Sequence, residues 1–182
     1  TGADGIAFVM QDFGPFALGG INEFLGSDVP GSSLGVEIDT WQDGNFADPV
    51  QDHVCIFRDG VNNHNIPFFN LDGPVSARSD GANIEDGQPH QFKVEWDPVT
   101  QELQVYFDCE LRLSWTGDLS GEIFGGETEV WWGFTGSTGG SSNAQEVCVT
   151  TSALGLPPEH AVCEGEGVDL VLQGAQSGTI AW

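Results

Sequence analysis

Basic side chains are nearly missing from this sequence: 4 Lys+Arg stand against 28 Asp+Glu in 182 residues, a formal net charge of −24. A field of that sign repels nucleic acid, anionic membrane surfaces and polyanionic glycans unless a cation intervenes. It suits a saline, marine or other extracellular setting, because the screening length falls from about 10 Å at 0.1 M salt to about 3 Å at 1 M. Plain solubility is the alternative reading of the same charge. No run of about 18 apolar residues occurs, so no membrane-spanning helix and no membrane insertion is expected. Apolar residues nowhere keep i, i+3, i+4 spacing for more than about two turns, which excludes long helices. No CxxC pair exists among Cys55, Cys109, Cys148 and Cys163, which argues against a zinc ribbon or a thioredoxin-like motif. Nor is there a Ser-His-Asp, Cys-His or glycine-rich phosphate motif.

What is present is aromatic and turn-rich. The 12 Phe and 6 Trp can fill a core, and the 26 Gly and 9 Pro imply many turns. Period-two alternation marks strands at residues 5–10, 34–39, 53–57, 91–96, 103–107, 130–134 and 146–149. Asp97-Pro98-Val99-Thr100 turns a hairpin that puts Phe92, Val94 and Trp96 on one face. Short strands separated by Gly and Asp turns predict an all-β fold, an antiparallel β-sandwich. Widely spaced cysteines suit an oxidising, extracellular compartment, secreted or at the cell surface, with one or two disulfides. Of the pairings open to them, Cys109 with Cys148 is preferred, since both lie on expected strands near hairpin turns. Thr1 is no natural start, so the chain is expected to be cut from a longer precursor. Residues 1–152 form the first unit, 153–160 a stiff linker carrying Pro157-Pro158, and 161–182 the beginning of an immunoglobulin-like module. In such a module Cys163 and Trp182 would be core positions.

The chemistry concentrates between Glu37 and His53. A strand with Glu37 and Asp39 two residues apart puts both carboxylates on one face. The following loop supplies Asp43 and Asp48, and His53 opens the next strand. Carboxylates crowded this way repel unless solvated apart or held by a cation. Calcium takes six to eight oxygen ligands, so Asp39, Asp43, Asp48 and the Trp41 carbonyl form one cage. Glu37, Asp39, Asp48 and His53 form a second set, whose imidazole suits manganese or another transition ion. On composition alone an acidic surface loop is the competing explanation. His64, His90 and His160 do not stand at ligand spacing from this cluster, and His90 reads as structural. Trp131 and Trp132 point to opposite faces, and Phe68-Phe69 reads as core.

Counted from Glu37, the cluster falls at +2, +4, +6, +11 and +16. This spacing resembles the metal-binding segment of the L-type (legume-like) lectins, and Asn83-Ile84-Glu85-Asp86-Gly87 through Tyr106-Phe107-Asp108 is similar to the central hairpin of the family's bacterial members. Gly2-Ala3-Asp4-Gly5-Ile6-Ala7-Phe8 is similar to the family's loop and strand carrying the sugar-binding Asp. Trp132-Gly133-Phe134-Thr135-Gly136-Ser137-Thr138-Gly139-Gly140 is similar to its last strand and specificity loop. The resemblance implies a concanavalin A-like jelly roll and calcium-dependent carbohydrate binding by an adhesion module whose partners are glycans; the segment 161–182 adds neighbouring immunoglobulin-like domains of the same polypeptide as expected partners. It also implies that the family's first strand precedes Thr1. Asp4, after a cis Ala3–Asp4 bond, would accept hydrogen bonds from two sugar hydroxyls. Gly20, with Gly19 as the alternative, would offer a backbone N–H, and Trp41 would stack its indole on the sugar. Gly140, Ser141 and Asn143 would close the site. Asp43 departs from the family, which usually has Asn there. A carboxylate only accepts hydrogen bonds, so Asp43 can hold calcium while changing the sugar contact. Calcium would pin the Trp41–Asp48 loop against the Ala3–Asp4 bond and so preset Asp4.

Two other functions compete. Laminarinase-like glycoside hydrolases share the sandwich and a Glu-x-Asp start, but a retaining mechanism needs a second carboxyl about 5–5.5 Å from the first. Their second Glu is replaced here by Trp41, so hydrolysis is not expected. The other rival is a calcium-rigidified structural or adhesion module that binds no sugar. The Ala3-Asp4-Gly5 loop argues against it.

Overall fold

Strands form at six of the seven segments that alternation marks, all but residues 146–149, with two additions. A computed structural model describes residues 2–127 and 129–149. It contains β1 Gly5–Gln11, β2 Ser33–Asp39, β3 His53–Arg58, β4 Asn70–Ser76, β5 Phe92–Asp97, β6 Glu102–Phe107, β7 Glu110–Thr116 and β8 Trp131–Ser137. They make a five-stranded antiparallel sheet in the order β4-β3-β2-β1-β8 and a three-stranded sheet in the order β5-β6-β7. β4 and β7 are the additions. β4 lies at a sheet edge, where Pro74, after a cis bond from Gly73, removes no ladder bond that matters. The edges of the two sheets are tied where Ser114 N donates to Asp72 Oδ2 at 2.7 Å and the Arg112 guanidinium donates to the Ser76 carbonyl.

The main core lies between the sheets. β2 contributes Leu34, Val36 and Ile38, β3 contributes Val54 and Ile56, and β6 contributes Leu103, Val105 and Phe107. Phe92, Val94 and Trp96 pack against them as the hairpin predicts, and Trp132 joins through Phe8, ring centroids 6.1 Å apart. The alternate residues of β1 to β3 point to the other face of the five-stranded sheet. There Ala7 and Val9 pack with Leu25 and Val29. Every residue of β2 is buried, so that second face is covered too, by the chain's longer loops. Gly35 shows how tight the cover is. It pairs with Phe57, and a Cβ there would sit 2.1 Å from the ring.

Three expectations need correction. Residues 146–149 are irregular, not a strand: their polar Glu146 and half-exposed Val147 do not face a core. Phe68 is 65% exposed and not core; it lies under the Arg58 guanidinium. Cys148 is an exposed free thiol and Cys55 a buried one, so the Cys109–Cys148 bridge is not made. Cys109 sits in the β6–β7 turn of one sheet, whereas Cys148 follows β8 of the other. The linker, Cys163, His160 and the immunoglobulin-like start all lie outside the described residues.

Candidate functional site: a cavity beside a buried carboxylate and imidazole cluster

Register builds the site. At one end of the five-stranded sheet Gly5 pairs with Asp39 on β2 and Ser137 on β8. The residue before β1, Asp4, is therefore held between two neighbours. Its N–H donates to the Ser137 carbonyl at 3.0 Å, and its own carbonyl accepts from Thr40 N at 2.9 Å and Thr40 Oγ1 at 3.1 Å. The Ala3–Asp4 bond is cis, as the resemblance implies. The Asp4 side chain is 6% exposed, and its Oδ2 accepts no hydrogen bond. Burial raises its pKa, with Glu23 adding to the rise and a hydrogen bond from Ser137 opposing it.

Asp4 lines a cavity of about 360 Å³ with Asn22, Glu23, Trp41, Asp43 and the Gly139–Ser141 turn. That volume lies in the lower part of the range for small-molecule sites, about 300–1,000 Å³. Trp41 is 46% exposed, so its indole is a free wall and not core. Gly139 lies over the carboxylate, and a Cβ there would meet Asn22 Oδ1 at 3.1 Å and both Asp4 oxygens at 3.4 Å. Gly20 and Asn143 sit differently from expectation. The Gly20 N–H donates to Asp28, the Gly19 N–H donates to the Gly26 carbonyl, and neither lines the cavity. The second loop instead presents Asn22 and Glu23, which sequence spacing gave no means to single out. Asn143 braces the site from behind, donating to Glu85 Oε1 at 2.7 Å and Thr40 Oγ1 at 3.3 Å.

Behind Trp41 lies the acidic cluster. Glu37 pairs with Cys55 and Asp39 with His53, so all four side chains share the second face of the sheet. Across from them on β1 stand the small residues Ala7 and Gly5, which leave room. Glu37, Asp39 and His53 are buried, at 1%, 4% and 1% exposure. Asp39, Asp48 and His53 bring ligand atoms within 4.8 Å of one another, and so do Glu37, His53 and His64. His64, which spacing excluded, is thus in the cluster. A loop delivers it, and nothing in linear separation announces that. The Asp43 carboxylate behaves otherwise: its Oδ1 accepts from Asn45 N at 2.8 Å, and its N–H donates to Asp48 Oδ2 at 2.7 Å.

The electrostatics ask for a cation. Burial first, then Glu37, pushes Asp39 up to about 9, against a hydrogen bond from Trp41 N. Burial lowers His53. Burial acts downward on His64 as well, but Asp48 and Glu37 outweigh it and push it up to about 9. Glu37 Oε2 is buried and accepts nothing, a vacancy that costs a carboxylate dearly unless a metal takes it. The donors present fit a metal: carboxylates with one or two imidazoles.

Known proteins place this architecture. Residues 1–151 match the family model described as the legume lectin beta-barrel domain. Solved structures agree in fold. The basic lectin of winged bean, solved with Tn-antigen, superposes with a TM-score of 0.58 at 20% identity, over 76% of this chain and 54% of that one. The Bauhinia forficata lectin, solved with GalNAc, gives a TM-score of 0.57 at 25% identity, over 76% and 59%. The acidic lectin of winged bean, solved with methyl-α-D-galactose, gives 0.55 at 21% identity, over 78% and 56%. The chain therefore spans little more than half the length of these lectins. With the family model covering most of its length, the chain belongs to the legume lectin (L-type) family.

Proposed function

We propose that this protein binds carbohydrate in the Asp4 cavity, in a calcium-dependent way, as a secreted or surface-displayed adhesion module without enzymatic activity. The observation that carries the reading is the buried Asp4 carboxylate, with Oδ2 unpartnered at the floor of a cavity walled by an exposed Trp41. An ionised carboxylate accepts from two vicinal hydroxyls, and an indole face covers the apolar side of a sugar ring. Calcium is placed at Asp39, Asp48, the Trp41 carbonyl and Asp43, where it holds the Trp41–Asp48 loop. Thr40 transmits that hold, since its N–H and Oγ1 both donate to the Asp4 carbonyl.

The walls favour hydroxyl donors, because Asp4, Glu23 and Asp43 all present carboxylates. Galactose and GalNAc, the ligands of the similar lectins, are natural first candidates beside mannose and glucose. Affinity for one sugar is expected at about millimolar to high micromolar, raised by multivalency in a longer protein. Retention on columns of each immobilised sugar, with calcium, tests the site. Wild type should be retarded on at least one and Asp4→Asn on none; equal retention of both would move binding away from Asp4. Reducing-sugar release from β-glucans should stay at background.

A further inference from the structure

We propose that His64 is a direct metal ligand, so that the inner site of this chain is closed by two imidazoles and two carboxylates and holds a zinc-type transition ion. This goes beyond the sugar reading and stands whether or not the cavity takes a sugar. The Glu37–His53 segment contributes one imidazole; the second comes from a separate loop.

Four atoms converge. His64 Nε2 lies 3.1 Å from Glu37 Oε1, 3.3 Å from Asp48 Oδ1 and 3.3 Å from His53 Nε2. His53 Nε2 lies 3.6 Å from Glu37 Oε1 and 3.8 Å from Asp48 Oδ1. Ligand atoms around a tetrahedral ion with bonds of about 2.0–2.2 Å stand about 3.3–3.6 Å apart, so the observed cage has the size of a metal site. A proton serves it poorly. One N–H on His64 cannot satisfy Glu37, Asp48 and the facing imidazole together, whereas a cation at the centre takes a lone pair from each.

The orphaned Glu37 Oε2, in a side chain 1% exposed, is an independent sign that something is to be bound there. Nor is His64 there by accident of a loose loop. Its N–H donates to the Phe46 carbonyl at 3.0 Å, and Asn65 Nδ2 donates to the Asn45 carbonyl at 3.1 Å. The His64 loop is thereby stitched to the loop that carries Asp48. The two rings cross at 77° with centroids 5.4 Å apart, which lets both Nε2 atoms face one point. Imidazole pairs favour zinc, cobalt, nickel and copper, while calcium and manganese prefer oxygen. Asp39, beside Asp48 and His53, is placed to add a fifth ligand or to bridge to an outer calcium.

The test uses the full chain, stripped with chelator and reloaded with zinc or cobalt. X-ray absorption should count two imidazoles on zinc in wild type and one in His64→Asn. The cobalt protein should show the intense visible bands of four- or five-coordination, fading in His64→Asn. Zinc affinity should fall at least about 10–100-fold in that variant, the scale seen even for residues behind a ligand. One imidazole in wild type, or unchanged zinc affinity in His64→Asn, would overturn the proposal. Should the variant fail to fold, the wild-type imidazole count decides alone.

Discussion

At Asp4 two demands meet: the side chain is buried, yet recognition of hydroxyls needs it ionised. Burial and the nearby Glu23 raise its pKa, so it protonates at a higher pH than an unperturbed aspartate. In the proposed reading the sugar binds the ionised form. Affinity should therefore drop as pH is lowered through that raised value, while metal content measured alongside stays constant until the ligands themselves protonate. For stability the sign is reversed. A folded pKa above the unfolded value of about 3.9 adds stability at low pH that is lost as pH rises through the folded value. Replacing Asp4 with Asn removes a charged acceptor worth about 1.5–3 kcal/mol per hydrogen bond, so calorimetric affinity should fall by about 10–100-fold or more with the circular dichroism unchanged. Gly139 offers an orthogonal check. A Cβ there already meets Asn22 at 3.1 Å, so Gly139→Val should fill the cavity mouth and abolish binding while calcium stoichiometry stays the same.

Among the strands, the period-two rule made one part of the site legible and hid another. β1, β2, β3, β5 and β6 follow apolar alternation and were readable, and with them the shared face of Glu37, Asp39 and His53. β4 was not: Asp72, Gly73 and Pro74 break its pattern, and only the sheet edge makes them tolerable. β7 begins with Glu110 and carries Arg112 and Ser114, so its single buried Leu113 gives little signal. His64 and the Asn22-Glu23 turn were invisible for a different reason. They reach the site along loops, and loop paths depend on long-range contacts such as Asn62 Nδ2 to the Glu23 carbonyl at 2.6 Å. The Gly20 and Asn143 roles inferred from resemblance shifted because each group is already engaged, Gly20 by nearby Asp28 and Asn143 by Glu85 from a distant loop. The β2–β3 pair also yields a stability test. Gly35→Ala would drive a methyl into the Phe57 ring, and overpacking of that kind costs about 1–3 kcal/mol. Thermal melting should register it, with sugar affinity retained in whatever fraction stays folded.

For the molecule as a whole, the proposed metal sites would couple the acidic composition to function. With a net charge of −24 and the Glu37 and Asp39 carboxylates on one sheet face beside loop-borne Asp48, chelation should destabilise the fold. At free ion about 100 times its dissociation constant the linked stabilisation is about 2.7 kcal/mol, or about 5–10 °C in melting temperature. Readdition should restore it. In the proposed reading the sugar sits against Asp4 and Trp41, and the Thr40 link ties that cavity to the calcium loop. The central claim is that metal and sugar sites act together. A glycan array probed with the protein in calcium and again after chelation tests this most directly. Binding to particular glycans in calcium that disappears on chelation is the predicted result; no binding in either condition, or binding indifferent to chelation, would contradict it.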